Sequence, residues 1–194
     1  MPRSVMKVIT ITHEEFADMC SLLASRVADA GMTPDVIIGI RRGGSYVADR
    51  LCPYFPCAKR ADVEMRRHST KIKGYKITRT ILRCLPHLLL NMARIIESYC
   101  TRYRPLAERI GEISLPEDVS DLLSYGPRRV LVVDDAIDSG ATMVNVVGQL
   151  KRLYPHCDIS IGVITVTTPH PAIDADFRLY HDSTLIRFPW ATDS

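Results

Sequence analysis

A chain of 194 residues with 46% hydrophobic and 24% charged residues carries enough apolar material for one full core. That balance excludes disordered, fibrous and collagen-like chains, and a net charge of only +3 gives no ground for nucleic-acid binding by the chain as a whole. No apolar run approaches the ~20 residues of a membrane span; the longest, residues 81–96, is broken by Arg83, His87, Asn91 and Arg94.

Residues 1–11 lack the apolar core of a signal peptide. The six cysteines form no CxxC pair and no His/Cys cluster with zinc spacing. Free thiols among apolar neighbours fit a reducing compartment, so a soluble, cytoplasmic protein is expected.

Thr12 and Glu15 have capping-box spacing, and Phe16, Met19, Leu22, Leu23 and Val27 then recur with helical period. Gly31 should end this helix, and Pro34 prevents its restart. Val36-Ile37-Ile38-Gly39-Ile40 is a continuous, β-branched apolar run, the pattern of a strand buried on both faces. Arg41-Arg42-Gly43-Gly44 breaks it, and residues 45–51 read as a helix. A basic run over 59–83 follows, with Lys59, Arg60, Arg66, Arg67, Lys71, Lys73, Lys76, Arg79 and Arg83 against Asp62 and Glu64. Such a run is a solvated face or a grip on a polyanion.

Residues 75–125 behave differently. Ile77, Ile81, Leu85, Leu88, Leu89, Met92, Ile95, Ile96 and Tyr99 recur at helical spacing, with Pro86 as a kink or boundary, and 115–125 adds a short helix. This reads as a helical insertion, over the sheet or in an oligomer interface.

Val130-Leu131-Val132-Val133 is a second buried strand. A loop over 134–140 leads to a helix from Ala141 to Leu153, and a third strand covers 159–166. Alternating strands and helices predict an α/β fold with a mostly parallel sheet flanked by helices.

The chemistry concentrates in Asp134-Asp135-Ala136-Ile137-Asp138-Ser139-Gly140-Ala141-Thr142. Two carboxylates leave the C-terminal end of a buried strand, where open α/β sheets bind ligands. The backbone N–H groups of Ser139, Gly140, Ala141 and Thr142 can point at a phosphate, aided by the helix dipole. Gly140 allows close approach. Asp134 and Asp135 suit two ribose hydroxyls. No GxxxxGK[ST] or GxGxxG is present.

The run from Val130 to Thr142 resembles the phosphoribosyl pyrophosphate (PRPP) motif of type I phosphoribosyltransferases. The resemblance implies a single phosphoribosyltransferase domain over 1–194, holding the insertion at 75–125 and a small C-terminal hood at 170–194. It implies that Asp134 and Asp135 bind the ribose 2′- and 3′-hydroxyls, partly with Mg²⁺, and that Asp138, Ser139, Gly140, Ala141 and Thr142 wrap the 5′-phosphate. Asp138 would also accept a proton near the base. The turn holding Arg41, Arg42 and Gly43 is similar to the family's pyrophosphate turn, with Arg42 as its basic residue. The peptide entering that residue is often cis in purine members, which singles out Arg41–Arg42. A mobile catalytic loop would contain Arg66, Arg67, Lys71 and Lys73.

The tail, with Leu185, Ile186, Phe188, Pro189 and Trp190, resembles the hood of xanthine–guanine and hypoxanthine phosphoribosyltransferases. On that resemblance Leu185, Ile186, Phe188 and Trp190 form a base pocket. Thr184 and Leu185 stand where members often carry a stacking aromatic, and no lysine follows Lys151. The implied reaction joins PRPP and a nucleobase, a 6-oxopurine by preference, in a homo-oligomer (dimer or tetramer) away from membranes. Two alternatives stay open: a PRPP-sensing regulator of the same fold that binds nucleic acid, and a phosphoribosyltransferase with a non-purine acceptor.

Overall fold

The computed structural model describes residues 7–66, 112–181 and 184–191. In chain order these form β1 (Lys7–Thr10), α1 (His13–Asp29), β2 (Val36–Ile40), α2 (Gly43–Leu51), β3 (Lys59–Arg66), β4 (Glu112–Ser114), α3 (Glu117–Ser124), β5 (Arg129–Ile137), α4 (Ala141–Leu153), β6 (Asp158–Val166), β7 (Phe177–His181) and β8 (Thr184–Arg187). No helix among the described residues is long and apolar enough to cross a membrane.

Six strands make one sheet in the order β4-β3-β2-β5-β6-β7. Every neighbouring pair is parallel except β3 and β4. β1 and β8 form a separate parallel pair, with Val8 opposite Leu185 and Ile9 opposite Ile186.

The central strands are apolar throughout because they are covered on both sides. Val36, Ile38, Val130 and Val132 pack on one face with Val119 and Leu123 of α3 and with Met143, Val146 and Leu150 of α4. Ile37, Leu131 and Val133 pack on the other with Phe16, Leu23 and Val27 of α1 and Val47 and Leu51 of α2. The period-2 alternation of a pleated strand thus feeds two cores from one run of sequence.

α1 starts as its capping box predicts: the Thr12 N–H donates to Glu15 Oε2 at 2.7 Å, and the Glu15 N–H donates to Thr12 Oγ1 at 3.2 Å. At the other end Gly31 takes φ +74°, and the N–H groups of Gly31 and Met32 return to the carbonyls of Ala28 and Val27.

Three elements differ from expectation. β5 runs past Val133 to Ile137, because β6 offers pairing partners that far, with Asp134 opposite Val163 and Ile137 opposite Val166. α2 begins two residues early, at Gly43. The range 75–125, read as a helical insertion, lies outside the described residues up to 111. From Glu112 the chain is a strand beside β3 and then a helix whose Val119 and Leu123 are core.

The basic run is also divided. Lys59 pairs with Asp118 at 3.0 Å, and Arg60 pairs with Asp49 at 2.8 Å and with Asp62 at 2.7 Å. These two cations are matched locally. Arg66, expected in the mobile loop, instead ends β3, and Arg67, Lys71, Lys73, Lys76, Arg79 and Arg83 lie outside the described residues, as does the rest of that loop.

Candidate functional site

The sheet reverses direction between β2 and β5. From β2 the chain moves through α2 to β3 on one side; from β5 it moves through α4 to β6 on the other. The helices after β2 and β5 lie on opposite faces. A crevice therefore opens at the C-terminal ends of these two strands, the place where open α/β sheets bind ligands.

Both walls of that crevice carry predicted site residues. After β2 comes the turn with Arg41, Arg42, Gly43 and Gly44, and the Arg41–Arg42 peptide is cis. Glycines bring this turn against β5. A Cβ on Gly44 would lie 2.3 Å from the Val133 carbonyl oxygen, and one on Gly43 would lie 2.2 Å from Asp135 Cγ. A Cβ on Gly39 would lie 2.6 Å from the Gly44 carbonyl oxygen. No side chain fits at any of the three without displacing backbone or the carboxylate.

Asp134 and Asp135 are both half-buried at the crevice. Asp134 Oδ1 accepts the Asp135 N–H at 3.0 Å. Burial pushes the Asp134 carboxyl well above the usual carboxylate range, and the neighbouring Asp135 charge adds to this, while the N–H groups of Asp135 and Gly44 oppose it. Burial raises Asp135 as well, against hydrogen bonds from Asp134 and from the backbone of Ala136. Among the described residues neither carboxylate has an ion-pair partner.

On the opposite wall, Arg41 pairs with Glu64 at 3.1 Å, both side chains being more than half exposed. Arg42 is the residue before α2, and its exposed guanidinium has no partner among the described residues.

Beyond the acidic pair the chain turns into α4. Gly140 caps this helix with φ +78°, and the Ser139 hydroxyl faces the Ala141 N–H at 3.5 Å. The first turn of α4 has no acidic residue and the last carries Lys151 and Arg152, so an anion at the N-terminus meets an uncompensated dipole. Residues after β6 support the loop from behind: the Ala172 N–H donates to the Ser139 carbonyl at 3.0 Å, and a Cβ on Gly140 would lie 3.1 Å from the Ala172 nitrogen.

Asp138 is exposed, and its Oδ1 accepts a hydrogen bond from the Thr167 hydroxyl. Nothing in the sequence pointed to Thr167, which lies on the far side of a helix and a strand. The available signal was the trio Thr165, Thr167 and Thr168, polar residues that follow the apolar half of a strand. Thr165 is fully buried, and its hydroxyl donates to the Thr184 carbonyl at 3.0 Å, tying β8 to β6.

The hood residues divide. Ile186 and Phe188 are buried in the core against α1 and α2. Trp190 stacks on Phe188 at 5.0 Å and on Tyr46 of α2 at 4.5 Å, and meets Phe16 edge-on at 4.8 Å. Leu185 is exposed, on the strand face opposite Ile186. Of the four residues expected to form a base pocket, Ile186, Phe188 and Trp190 are thus engaged in packing, and Leu185 has an open face. Tyr46 joins this cluster without having been singled out.

A doubly wound sheet with an acidic pair, a glycine turn and a helix N-terminus at its switch point defines a class: the type I phosphoribosyltransferase fold. The phosphoribosyl transferase domain model matches residues 6–192, and the chain belongs to that family, a class of glycosyltransferases. No curated protein matches the chain. Among solved structures, a purine phosphoribosyltransferase from Pyrococcus horikoshii is 19% identical with a TM-score of 0.58, covering 95% of this chain and 94% of that one. A Helicobacter pylori xanthine–guanine–hypoxanthine phosphoribosyltransferase is 16% identical with a TM-score of 0.60, covering 96% and 95%. A Neisseria gonorrhoeae protein with bound ppGpp is 18% identical with a TM-score of 0.60, covering 97% and 92%.

Proposed function

We propose that this phosphoribosyltransferase moves the 5-phosphoribosyl group of PRPP to a ring nitrogen of a nucleobase, a 6-oxopurine by preference, and releases pyrophosphate. The observation that carries the reading is the junction of Asp134 and Asp135 with Gly43 and Gly44 at the start of α2, on the chain that leads into the N-terminus of α4.

Asp134 and Asp135 accept the ribose 2′- and 3′-hydroxyls. The N–H groups and hydroxyls of Ser139, Gly140, Ala141 and Thr142 hold the 5′-phosphate. Arg42, whose guanidinium is uncommitted, meets the pyrophosphate together with the N–H of Gly43, while Arg41 is partly held back by Glu64. The bond from C1 to the pyrophosphate oxygen breaks as the base nitrogen bonds to C1, and Asp138 takes the proton that the base nitrogen loses. The remaining work is positioning and charge stabilisation.

The acidic pair also fits Mg²⁺. It offers hard oxygen donors, and among the described residues no cationic side chain forms an ion pair with it. Among the described residues there is no group of three or more ligating side chains. That suits an ion that takes one or two carboxylates and completes its shell with substrate oxygens and water. When bound, Mg²⁺ would neutralise charge on the pyrophosphate and ribose oxygens.

On the base side, Leu185 covers one face of the acceptor, and Ile186, Phe188 and Trp190 support that wall from the core. The purine preference draws on the hood and on the Pyrococcus and Helicobacter neighbours. A second reading, a non-purine acceptor, is favoured by Thr184 and Leu185 in place of a stacking aromatic. Of the basic run that a nucleic-acid-binding sensor would use, Lys59 and Arg60 are matched by acidic partners.

The test is pyrophosphate release from PRPP and Mg²⁺ with hypoxanthine, guanine, xanthine, adenine, orotate and uracil in turn. Release with a 6-oxopurine, lost in a double Asp134→Ala, Asp135→Ala variant, is the expected outcome. Release only with orotate or uracil selects the second reading, and silence with every base while PRPP still binds contradicts transfer.

A further inference from the structure

Asp138 stands apart from the acidic pair. It lies at the mouth of the α4 loop, is exposed, and takes its hydrogen bond from Thr167, the residue that follows β6, the strand beside β5. The Thr167 backbone is itself fixed to the residue before Asp138: its N–H donates to the Ile137 carbonyl at 3.0 Å. The hydroxyl of Thr167 has two acceptors in reach, Asp138 Oδ1 and, at 3.5 Å, the Ile137 carbonyl. A hydroxyl carries one proton, and the nearer, charged acceptor wins it.

The consequence is directional. One oxygen of the Asp138 carboxylate, Oδ1, is held by Thr167, which leaves Oδ2 as the oxygen for a further partner. An exposed aspartate on a loop otherwise samples several rotamers, and each lost rotamer must be regained when the substrate binds. Holding it beforehand is preorganisation of the kind that separates a base in place from one merely nearby.

We infer that Thr167 is a positioning residue, which fixes the Asp138 carboxylate so that one oxygen meets the N–H of the incoming base. This rests on the reading of Asp138 as proton acceptor. Thr167 does not touch the reacting atoms. The proton passes from the base nitrogen to the free Asp138 oxygen as the nitrogen–C1 bond forms and pyrophosphate leaves with the electron pair of the old C1–oxygen bond. The Thr167 proton stays where it is.

The test uses Thr167→Val, close in shape but without the donor, and Thr167→Ser, which keeps it. The first readout is the side-chain carboxyl ¹³C resonance of Asp138 in the full chain, assigned by its loss in Asp138→Ala. It should move in the valine variant and stay near its wild-type position in the serine variant. The second is steady-state pyrophosphate release. The valine variant should lose about 10- to 100-fold in kcat, the scale of a hydrogen bond to a charged group, with the KM for PRPP changed by less than about threefold. The serine variant should recover most of that loss. In an Asp138→Ala background the valine substitution should cost nothing further, because residues acting through one contact are not additive.

Three results would overturn the inference: an Asp138 resonance indifferent to the valine change, a loss in PRPP KM rather than kcat, or losses that multiply in the double variant. A chain silent with every base, but whose Asp138 resonance still responds to Thr167, would sink the transfer reading and uphold the contact. The two failures are thereby distinguishable.

Discussion

The proposed phosphate side and the proposed base side of this crevice are built by different means. On the phosphate side, Gly43, Gly44, Gly140 and the N-termini of α2 and α4 shape the wall with backbone, and Asp134 and Asp135 are fixed by contact with that backbone. On the proposed base side the wall is side chains: Thr167 just after β6 and Leu185 from β8, backed by an aromatic stack joining Trp190 to α1 and α2. A backbone cradle suits a group common to every PRPP-dependent reaction. A side-chain wall can be changed residue by residue, which is how one fold comes to serve different acceptors.

If that division is right, damage to the two sides should separate. The largest effect on stability should come from Trp190→Ala, which strips a half-buried ring from its packing on Phe16, Tyr46 and Phe188 and costs about 3 kcal/mol, the low end for such truncations. Urea denaturation measures this, and PRPP affinity measured well below the new midpoint should hardly change. A drop in PRPP affinity as large as the drop in stability would break the comparison.

Gly44→Ala attacks the other side. Its Cβ would press on the Val133 carbonyl, and a loss of about 2 kcal/mol is expected together with loss of PRPP binding. Gly148→Ala, within α4, is the control. Its added Cβ would meet nothing within 4 Å, so the change should stabilise the protein by about 1 kcal/mol and leave binding intact. Thermal melts of the two variants with and without PRPP sharpen the contrast.

The smallest effect is electrostatic. The folded state raises the Asp134 carboxyl above its ordinary value of 3.8, so between 3.8 and the folded value the native protein holds the extra proton. Stability of the Mg²⁺-free protein from this group is therefore greatest below 3.8 and is lost as pH rises through the folded value. Asp134→Asn should flatten that pH dependence and stabilise the Mg²⁺-free protein at neutral pH by about 1 kcal/mol, while weakening PRPP binding. Thermal melts across pH decide it, and a variant that is less stable at neutral pH would contradict the burial argument.

The same division explains what could be read from the sequence. The strand, turn and helix start of the proposed phosphate side were legible because backbone chemistry demands particular residues close together: a buried apolar run, two acids, a glycine and a helix start, all between Val130 and Thr142. The helix Ala141–Leu153 and the strand Val36–Ile40 were read with their observed bounds for the same reason. β5 was cut short at Val133 because aspartates are poor strand residues, whereas a long neighbouring β6 carries the pairing through them. The contacts of the proposed base side were illegible for the opposite reason. Thr167 and Asp138 are far apart in sequence, and Tyr46 stacks on Trp190 from the other end of the chain; no local spacing announces either pair. The short strands β1, β7 and β8 depend on tertiary partners rather than on pattern, which also hid them.

The most direct measurement is calorimetric titration of PRPP with Mg²⁺ into the wild-type chain and into a double Asp134→Asn, Asp135→Asn variant. The account predicts saturable binding to the wild type and a loss of at least about 100-fold in the variant, with its fold retained, since the pair supplies charged contacts on that scale. Equal PRPP affinity in a folded variant would contradict it and move the binding site away from the crevice between β2 and β5.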